Sequence, residues 1–335
     1  MPDSQGSRER RLPFSHAGAC AVAAAAALAC PASAEEITVS SCGMDIVVSE
    51  PVSAIVTLDQ SSTETVIGLG GAGRMAGSTQ LKTQIAEQYR ADWEKVPQLT
   101  RDQPTAEIVR AVEPDLLVAY SGYFYTNQRV GSREELAALG VGSYISAVSC
   151  PEHNAPGMTS FDLLALDFTN LGRLMGTEEQ VAGIVAAQEQ AIEAASEIEL
   201  TSDEPIRVLW LYSVFEGTPY VAGGPSIPGT ISEVTGVANV FADVDEQWPS
   251  VSWEAIADRE PDIIVLGDLS ERGALGDTVE EKIAMLRTEP GVSFLDAVTQ
   301  EQFIEVPGIE MDPSIRSVNT LNLFVEGLRR LGYAR

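Results

Sequence analysis

The residues of this sequence best suited to chemistry are aromatic side chains on polar loops or directly after apolar strands. They are Tyr120, Tyr123, Tyr125, Tyr212, Tyr220 and Trp248. The first three lie in residues 120–129, which read YSGYFYTNQR. Such rings bury much area at low entropic cost and keep polar edges for orientation, so they suit a large, flat ligand. Core packing is the alternative for Tyr123, because strand alternation would bury some of these rings.

Two arginines accompany the aromatic residues. Arg129 ends the aromatic loop, and Arg316 lies in the segment MDPSIR, just before the last predicted helix. A guanidinium group binds carboxylate, phosphate or hydroxamate oxygens in bidentate geometry. The alternative is a surface ion pair, because the chain has 49 acidic residues against 21 basic ones.

The sequence offers little for catalysis or metal binding. Its only histidines are His16 and His153, which excludes a histidine-rich metal site. There is no G-x-S-x-G motif, and a Ser-His-Asp triad would have to use His153. We therefore predict no catalytic residue, no metal site and no intrinsic cofactor, with a secreted α/β hydrolase as the remote alternative.

One glycine motif imitates a dinucleotide site. Residues 68–73 match G-x-G-x-x-G, but they follow a predicted helix and precede a strand near Met75. A dinucleotide fingerprint must instead follow a strand and open a helix. We interpret the motif as a glycine turn that ends a helix.

The charge excludes another class of partner. The formal net charge is −28, which repels phosphate backbones, so we predict no nucleic-acid binding. The length of 335 residues is sufficient for two domains.

Residues 1–34 have the pattern of a secretion signal. A basic start at Arg8–Arg11 precedes an apolar stretch at Ala17–Cys30 that is too short to span a bilayer. The A-x-A site ending at Ala34 predicts a mature periplasmic or otherwise extracytoplasmic protein beginning at Glu35. Lipoprotein anchoring at Cys30 is the less favoured alternative.

The mature chain then contains one pair of cysteines, Cys42 and Cys150. They lack C-x-x-C spacing, and an oxidising compartment favours a disulfide. A thiolate metal or redox site is the alternative.

The chain contains the same unit twice. Residues 107–118 read EIVRAVEPDLLV, and residues 254–265 read EAIADREPDIIV. In each copy a short helix stops at Pro-Asp and a continuously apolar strand follows, since proline cannot continue a helix. A strand that is apolar at every position is buried on both faces, as in a parallel sheet covered by helices.

Further strands and helices alternate along the chain. Strands are predicted at residues 54–58, 141–146, 206–212 and 302–307, which gives α/β architecture in two similar lobes. The segment EEQVAGIVAAQEQAIEAASEIEL lacks proline and predicts one long helix that begins near Thr177 and joins the lobes. We expect a first lobe at 35–160, a linker at 161–204 and a second lobe at 205–335.

This organisation resembles a known family. Two Rossmann-like α/β lobes joined by a single long helix, with a secretion signal, are similar to class III periplasmic binding proteins. These are the substrate-binding proteins of ABC importers for ferric siderophores, haem and cobalamin. The Glu-…-Pro-Asp units carry the resemblance, together with WPSVSWE at 248–254, TPY at 218–220 and NVFAD at 239–243.

The resemblance implies a membrane partner. In the family, glutamates at the positions of Glu107 and Glu254 dock into arginine pockets of a dimeric permease. The alternative is that each glutamate merely stabilises a helix N-terminus through the helix dipole.

The resemblance also implies a binding function rather than an enzymatic one, in a protein that we expect to be monomeric. Tyr120 and Trp248 occupy positions that contact ligand in cobalamin-binding relatives, and the loop of Arg316 faces the cleft. The implied ligand is a metal chelate or macrocycle such as a ferric siderophore, haem or corrinoid. Another anionic cofactor precursor or metal complex is the alternative, and the single histidine of the mature chain, His153, argues against bare zinc.

Overall fold

The computed structural model describes residues 36–335, so the predicted secretion signal lies outside the described residues. The described chain begins with an antiparallel hairpin of β1 (Ile37–Ser41) and β2 (Met44–Val48). Its turn residues, Cys42 and Gly43, both have positive φ, as hairpin turns of this tightness require. Cys42 is disulfide-bonded to Cys150 with a Cα–Cα distance of 5.6 Å, which confirms the predicted bond.

The first lobe is built on a parallel sheet of five strands in the order β5-β4-β3-β6-β7. The strands are β3 (Ile55–Thr57), β4 (Met75–Thr79), β5 (Gln98–Thr100), β6 (Leu116–Ala119) and β7 (Gly142–Ile145). The helices are α1 (Gln60–Gly68), α2 (Glu87–Trp93), α3 (Ala106–Arg110) and α4 (Arg133–Ala138). The central strands β3 and β6 are buried at every residue, as their unbroken apolar sequences predict.

The glycine motif at 68–73 ends a helix, as predicted. Helix α1 stops at Gly68, and Gly70 follows with φ +85° before the chain enters β4. The left-handed conformation is readily adopted by glycine and closes the helix end.

The segment between the lobes contains two helices, α5 (Ser160–Met175) and α6 (Glu178–Ser196). Helix α6 is the predicted helix, 19 residues long, and it does begin after Thr177. The break comes from Gly176, whose φ of +67° ends α5 in a left-handed cap. Val181 of α6 packs on Gly172 of α5, so the pair forms one packed strut.

The second lobe repeats the architecture, with strand order β10-β8-β11-β12 and β9 antiparallel to β8. Its strands are β8 (Arg207–Phe215), β9 (Thr218–Val221), β10 (Ala238–Asn239), β11 (Ile263–Asp268) and β12 (Phe303–Pro307). Its helices are α7 (Ile227–Thr235), α8 (Trp253–Asp258), α9 (Val279–Thr288), α10 (Asp296–Thr299) and α11 (Ser317–Leu331). The two-lobed α/β class is therefore confirmed.

A continuous apolar core connects the lobes. It runs from Ile55 in the first sheet through Phe168 and Val181 of the linking helices to Val208 and Phe324 in the second lobe. Burial of this core on both sides of α5 and α6 fixes the strut to each lobe.

Candidate ligand-binding cleft and docking glutamates

The two copies of the repeated unit have the same local structure. Helix α3 is capped by Thr105 and helix α8 by Ser252, and each hydroxyl accepts a backbone N–H of its helix. Glu107 and Glu254 are therefore both the second helical residue, and both side chains are exposed. Hydrogen bonds from its own backbone N–H and from the Ser252 hydroxyl lower the pKa of Glu254.

The Pro-Asp step is also conserved in three dimensions between the lobes. Glu113 and Glu260, just before the prolines, have φ of +48° and +42°. Asp115 accepts the backbone N–H of Ala54 at 3.0 Å, and Asp262 accepts that of Arg207 at 2.7 Å. Each aspartate thus ties its own strand to the start of the neighbouring one, which gives Glu107 and Glu254 equivalent places in the two lobes.

Side chains from both lobes meet at the carboxyl ends of the strands. We call Lys82, Tyr120, Tyr212, Trp248 and Asp312 the cleft cluster. Its first two members belong to the first lobe and the other three to the second. This is the edge where parallel α/β sheets place their ligand sites.

An aromatic pair and a lysine dominate the cleft cluster. The rings of Tyr212 and Trp248 lie 4.5 Å apart between centroids with an interplanar angle of 35°. The ammonium of Lys82 lies 3.3 Å from the Asp312 carboxylate and 5.8 Å from the centroid of the Tyr120 ring. The Tyr212 hydroxyl donates to Asp312 at 3.2 Å. The Asp312 carboxylate thus binds Tyr212 of its own lobe and Lys82 of the first lobe, and it links the two lobes.

The electrostatics keep the phenols neutral and the lysine charged. Burial, followed by the nearby Asp312 carboxylate, raises the pKa of Tyr120 to about 12 and also raises that of Tyr212. Burial by itself would lower the pKa of Lys82, but Asp312 and the two phenols outweigh it and raise that pKa overall. At neutral pH the cluster therefore holds a cation and two neutral phenols, of which the Tyr212 hydroxyl already donates to Asp312, beside partly buried rings of Tyr120 and Trp248.

The buried carboxylate of Asp59 holds the backbone at Tyr120 in place. Asp59 caps α1 by accepting the Ser62 N–H at 2.8 Å, and it also accepts the backbone N–H of Tyr120 at 3.0 Å. Burial raises the pKa of Asp59, while these hydrogen bonds oppose the rise. Asp59 thereby links the end of β6 to the start of α1 and positions Tyr120.

Two of the predicted aromatic residues lie elsewhere. Tyr125 is buried in the core of the first lobe, where its hydroxyl donates to the carbonyls of Leu117 and Tyr144. The geometry therefore gives no support to a ligand contact of Tyr125. Tyr220 is half-buried on β9 and pairs with Ser250 through a β-bridge.

Tyr123 and Arg129 form a pair on the surface of the first lobe. The guanidinium lies 3.6 Å from the centroid of the Tyr123 ring, and it also donates to the Tyr123 hydroxyl and to Gln103. The Tyr123 side chain is 49% exposed, so the core-packing alternative for this residue is wrong. The ligand contacts of the pair stay a prediction.

Arg316 lies at the cleft but is already paired. Its guanidinium donates to Glu64 of the first lobe at 3.0 Å and to Glu310 of its own lobe, with only 13% of the side chain exposed. The ion-pair alternative is thus observed as a buried bridge between the lobes rather than at the surface. Its contact with ligand stays a prediction.

Sequence reasoning missed Lys82 and Asp312. Asp312 lies close to a signal that it used, because it is part of MDPSIR, whereas Lys82 follows the strand near Met75. Their pairing joins residues 230 positions apart, and no local pattern encodes such a contact.

Within residues 36–335, no group of three or more histidine, cysteine, aspartate or glutamate side chains is arranged to hold a metal ion. The helices of the same range include none with the length and apolar character needed to cross a bilayer.

Residues 55–309 match the family described as "Periplasmic binding protein". The chain belongs to this family. This binding protein is also similar to a cobalamin-binding protein of Halobacterium salinarum, with 27% identity over 229 residues. That match covers 67% of this chain and 56% of the relative, so the chain spans little more than half the length of the relative.

Solved structures of low sequence identity share the fold of this binding protein. A periplasmic binding protein from Veillonella parvula has a TM-score of 0.76 at 22% identity, covering 88% of this chain and 98% of the other. A protein described as an ABC-type Fe3+-hydroxamate transport system from Saccharomonospora viridis has a TM-score of 0.71 at 23% identity. That match covers 87% of this chain and 98% of the other.

Proposed function

We propose that this chain is the extracytoplasmic substrate-binding component of an ABC importer. It captures a metal chelate or macrocycle, of the ferric siderophore, haem or cobalamin type, between its lobes and delivers it to a permease dimer. The observation that carries the proposal is the cleft cluster, to which both lobes contribute at the ends of their strands. A receptor for another anionic cofactor precursor or metal complex would use the same cluster.

The cluster supplies the contacts that such a ligand needs. The Trp248 and Tyr120 rings offer faces for stacking against a flat ring system or the organic shell of a chelate. Lys82 and the neutral Tyr120 hydroxyl donate hydrogen bonds to oxygens at the ligand edge. Binding between the lobes excludes water from both faces of the ligand at once.

Docking to the permease would use Glu107 and Glu254. Their equivalent places in the two lobes present two exposed negative charges, which match a partner made of two copies of one subunit. Arginines are the natural receptors for such carboxylates, because their planar donors bind them in bidentate geometry.

Binding rather than catalysis is favoured by the surroundings of His153. This side chain is partly exposed on a loop, contacts the hairpin turn at Gly43 and lies 3.6 Å from Glu152. A hydrolytic triad needs a histidine placed between a nucleophile and a buried carboxylate. The family also consists of binding proteins.

The proposal is tested by isolating the mature protein from its own extracytoplasmic compartment and identifying what it carries. Native mass spectrometry and the absorbance spectrum should reveal a bound chelate or macrocycle. The same sample should be a monomer that begins at Glu35. Recovery of a single amino acid, a sugar or an uncomplexed metal ion would refute the proposed ligand class.

A further inference from the structure

A cavity adjoins the cleft cluster on the side of Lys82. It has a volume of about 680 Å³ and lies between the loop after β4, helix α2 and the loop after β11 of the other lobe. We call it the side pocket. Its polar lining is set by Lys82, Arg90, Trp93, Arg101, Glu271 and Arg272.

The charge of the side pocket is opposite to that of the chain. The whole sequence has more than twice as many acidic as basic residues, 49 against 21. Among residues 36–335, the lining of the side pocket includes four basic side chains and one acidic side chain. Such a reversal concentrates positive potential in a concave site and attracts anions.

The cations differ in how firmly they are held by the protein. Arg272 is fixed by the buried Asp277, whose carboxylate accepts its Nε at 2.8 Å, and Lys82 is fixed by Asp312. Arg90 pairs with the exposed Glu87. Within residues 36–335, Arg101 has no carboxylate within 4.0 Å, so its five donors are available to a ligand.

Trp93 forms part of the wall of the side pocket. Its indole nitrogen is shielded from solvent and has no hydrogen-bond partner among the described residues. The ring rather than the N–H therefore borders the cavity, and the indole signal can report a ligand bound beside it.

We infer that the side pocket binds an anionic arm, a phosphate or carboxylate group, of the ligand whose flat face lies on the cleft cluster. This inference rests on the proposed function, because Lys82 lines the side pocket and also belongs to the cleft cluster. The ligand is then a macrocycle or chelate with an asymmetric anionic appendage. The positive charge for it comes above all from Arg101, which meets no carboxylate within residues 36–335, whereas Arg316 is occupied by Glu64 and Glu310.

The side pocket can be tested with simple anions alone. Pyrophosphate and citrate are titrated into protein labelled with ¹⁵N at its four tryptophans, and the indole signals are followed. We expect the Trp93 signal to shift, whereas Trp210, whose N–H donates to Ser232 at 2.9 Å, serves as the internal control. Arg101→Gln should weaken the anion affinity by about tenfold or more, the factor for one charge-assisted hydrogen bond. Lys95→Gln removes a nearby exposed charge outside the side pocket and should leave the affinity unchanged.

Matched ligands then identify the anionic arm. Cobalamin is compared with cobinamide, which lacks the phosphodiester arm, and haem with its dimethyl ester, which lacks the charged carboxylates. For the pair that binds, Arg101→Gln should weaken the charged member by about tenfold or more and spare the other. A difference in the first pair assigns a phosphate arm, and a difference in the second assigns carboxylates.

The outcomes separate the two proposals. If a macrocycle binds with an affinity that depends neither on its anionic arm nor on Arg101, the side pocket inference is overturned and the proposed function stands. If the simple anions bind through Arg101 and shift the Trp93 signal but none of the four ring compounds binds, the side pocket stands and the macrocycle proposal loses its support. If neither class of probe binds, both proposals fail.

Discussion

The two lobes are alike where the repeated unit begins and different where their strands end. At the start of the unit, Glu107 and Glu254 share a helix position, a capping hydroxyl and a Pro-Asp step that ties two strands together. At the strand ends, the first lobe contributes a lysine and one tyrosine, and the second contributes a stacked aromatic pair and an aspartate.

The difference matches the proposed function. Two identical subunits of a permease would require the same group at equivalent places in both lobes. A single ligand between the lobes would have two different faces, one for each lobe. The side pocket extends this asymmetry, since its wall is formed mainly by the first lobe.

The largest expected effect concerns the disulfide, which links the N-terminal hairpin to the first lobe. Within residues 36–335, the second lobe has no such bond. Replacing both Cys42 and Cys150 by alanine should lower the free energy of unfolding by about 3–5 kcal/mol, because the bond closes a long loop. Urea unfolding followed at Trp93 should shift further than unfolding followed at Trp210. An equal shift of both signals would contradict a stabilisation centred on the first lobe.

Charge reversal at Glu107 and Glu254 should prevent docking to the permease and leave the cleft unchanged. Glu107→Arg with Glu254→Arg should reduce uptake by roughly 100-fold, as expected for unpaired charges at an interface, and leave ligand affinity unchanged. Uptake in cells and titration with the recovered ligand measure the two quantities.

The control for this pair is Glu134→Arg with Glu280→Arg. These glutamates are also exposed second residues of helices, one in each lobe, but they lie outside the repeated unit. A similar loss of uptake in the control would show that the helix dipole, rather than docking, explains Glu107 and Glu254.

Removing one ring should test the asymmetric region. Trp248→Ala should weaken ligand binding by about 2 kcal/mol, roughly 30-fold, because a stacked tryptophan is a typical hot spot. Trp248→Phe should restore most of the affinity, since it keeps an aromatic face against Tyr212. Unchanged affinity in the alanine variant would remove Trp248 from the site.

The smallest expected effect compares the two Pro-Asp steps. Asp115→Ala and Asp262→Ala should each lower the free energy of unfolding by about 1–2 kcal/mol. The first leaves the backbone N–H groups of Ser53 and Ala54 without their acceptor, and the second leaves that of Arg207. Asp262 also pairs with the side chain of Arg207, which is 41% exposed, whereas Asp115 also accepts the hydroxyl of Ser53, so the two losses should differ by less than about 1 kcal/mol. A markedly larger difference in chemical denaturation would show that the two steps are not energetically equivalent.

Local patterns predicted the fold because its main signals are local. The Pro-Asp steps fix where helices stop, and unbroken apolar runs such as 116–119 fix which strands are buried. The connecting helix α6 was predictable from its composition, and Gly176, with a left-handed φ, separates it from α5. The disulfide was predictable because the predicted mature chain contains two cysteines, and an oxidising compartment favours a bond between them.

The cleft was only partly predictable. Tyr120, Tyr212 and Trp248 follow strands, and topology brings such positions together. The roles of Arg316 and Lys82 depend on the carboxylates that each meets, Glu64 and Asp312, and both of these belong to the opposite lobe. Charge partners at that distance along the chain follow from how the lobes pack and have no signature in the sequence around either residue.

The disulfide has a consequence for the integrity of the chain. Cys42 precedes every strand of the first sheet and Cys150 follows the last of them, so the bond closes the five-stranded lobe into a covalent ring. A protease that cuts one peptide bond between these cysteines opens the ring but releases no fragment. Both pieces stay attached to the strut and to the second lobe, so a nicked molecule keeps all the parts of its binding surface until a second cut or a reductant separates them.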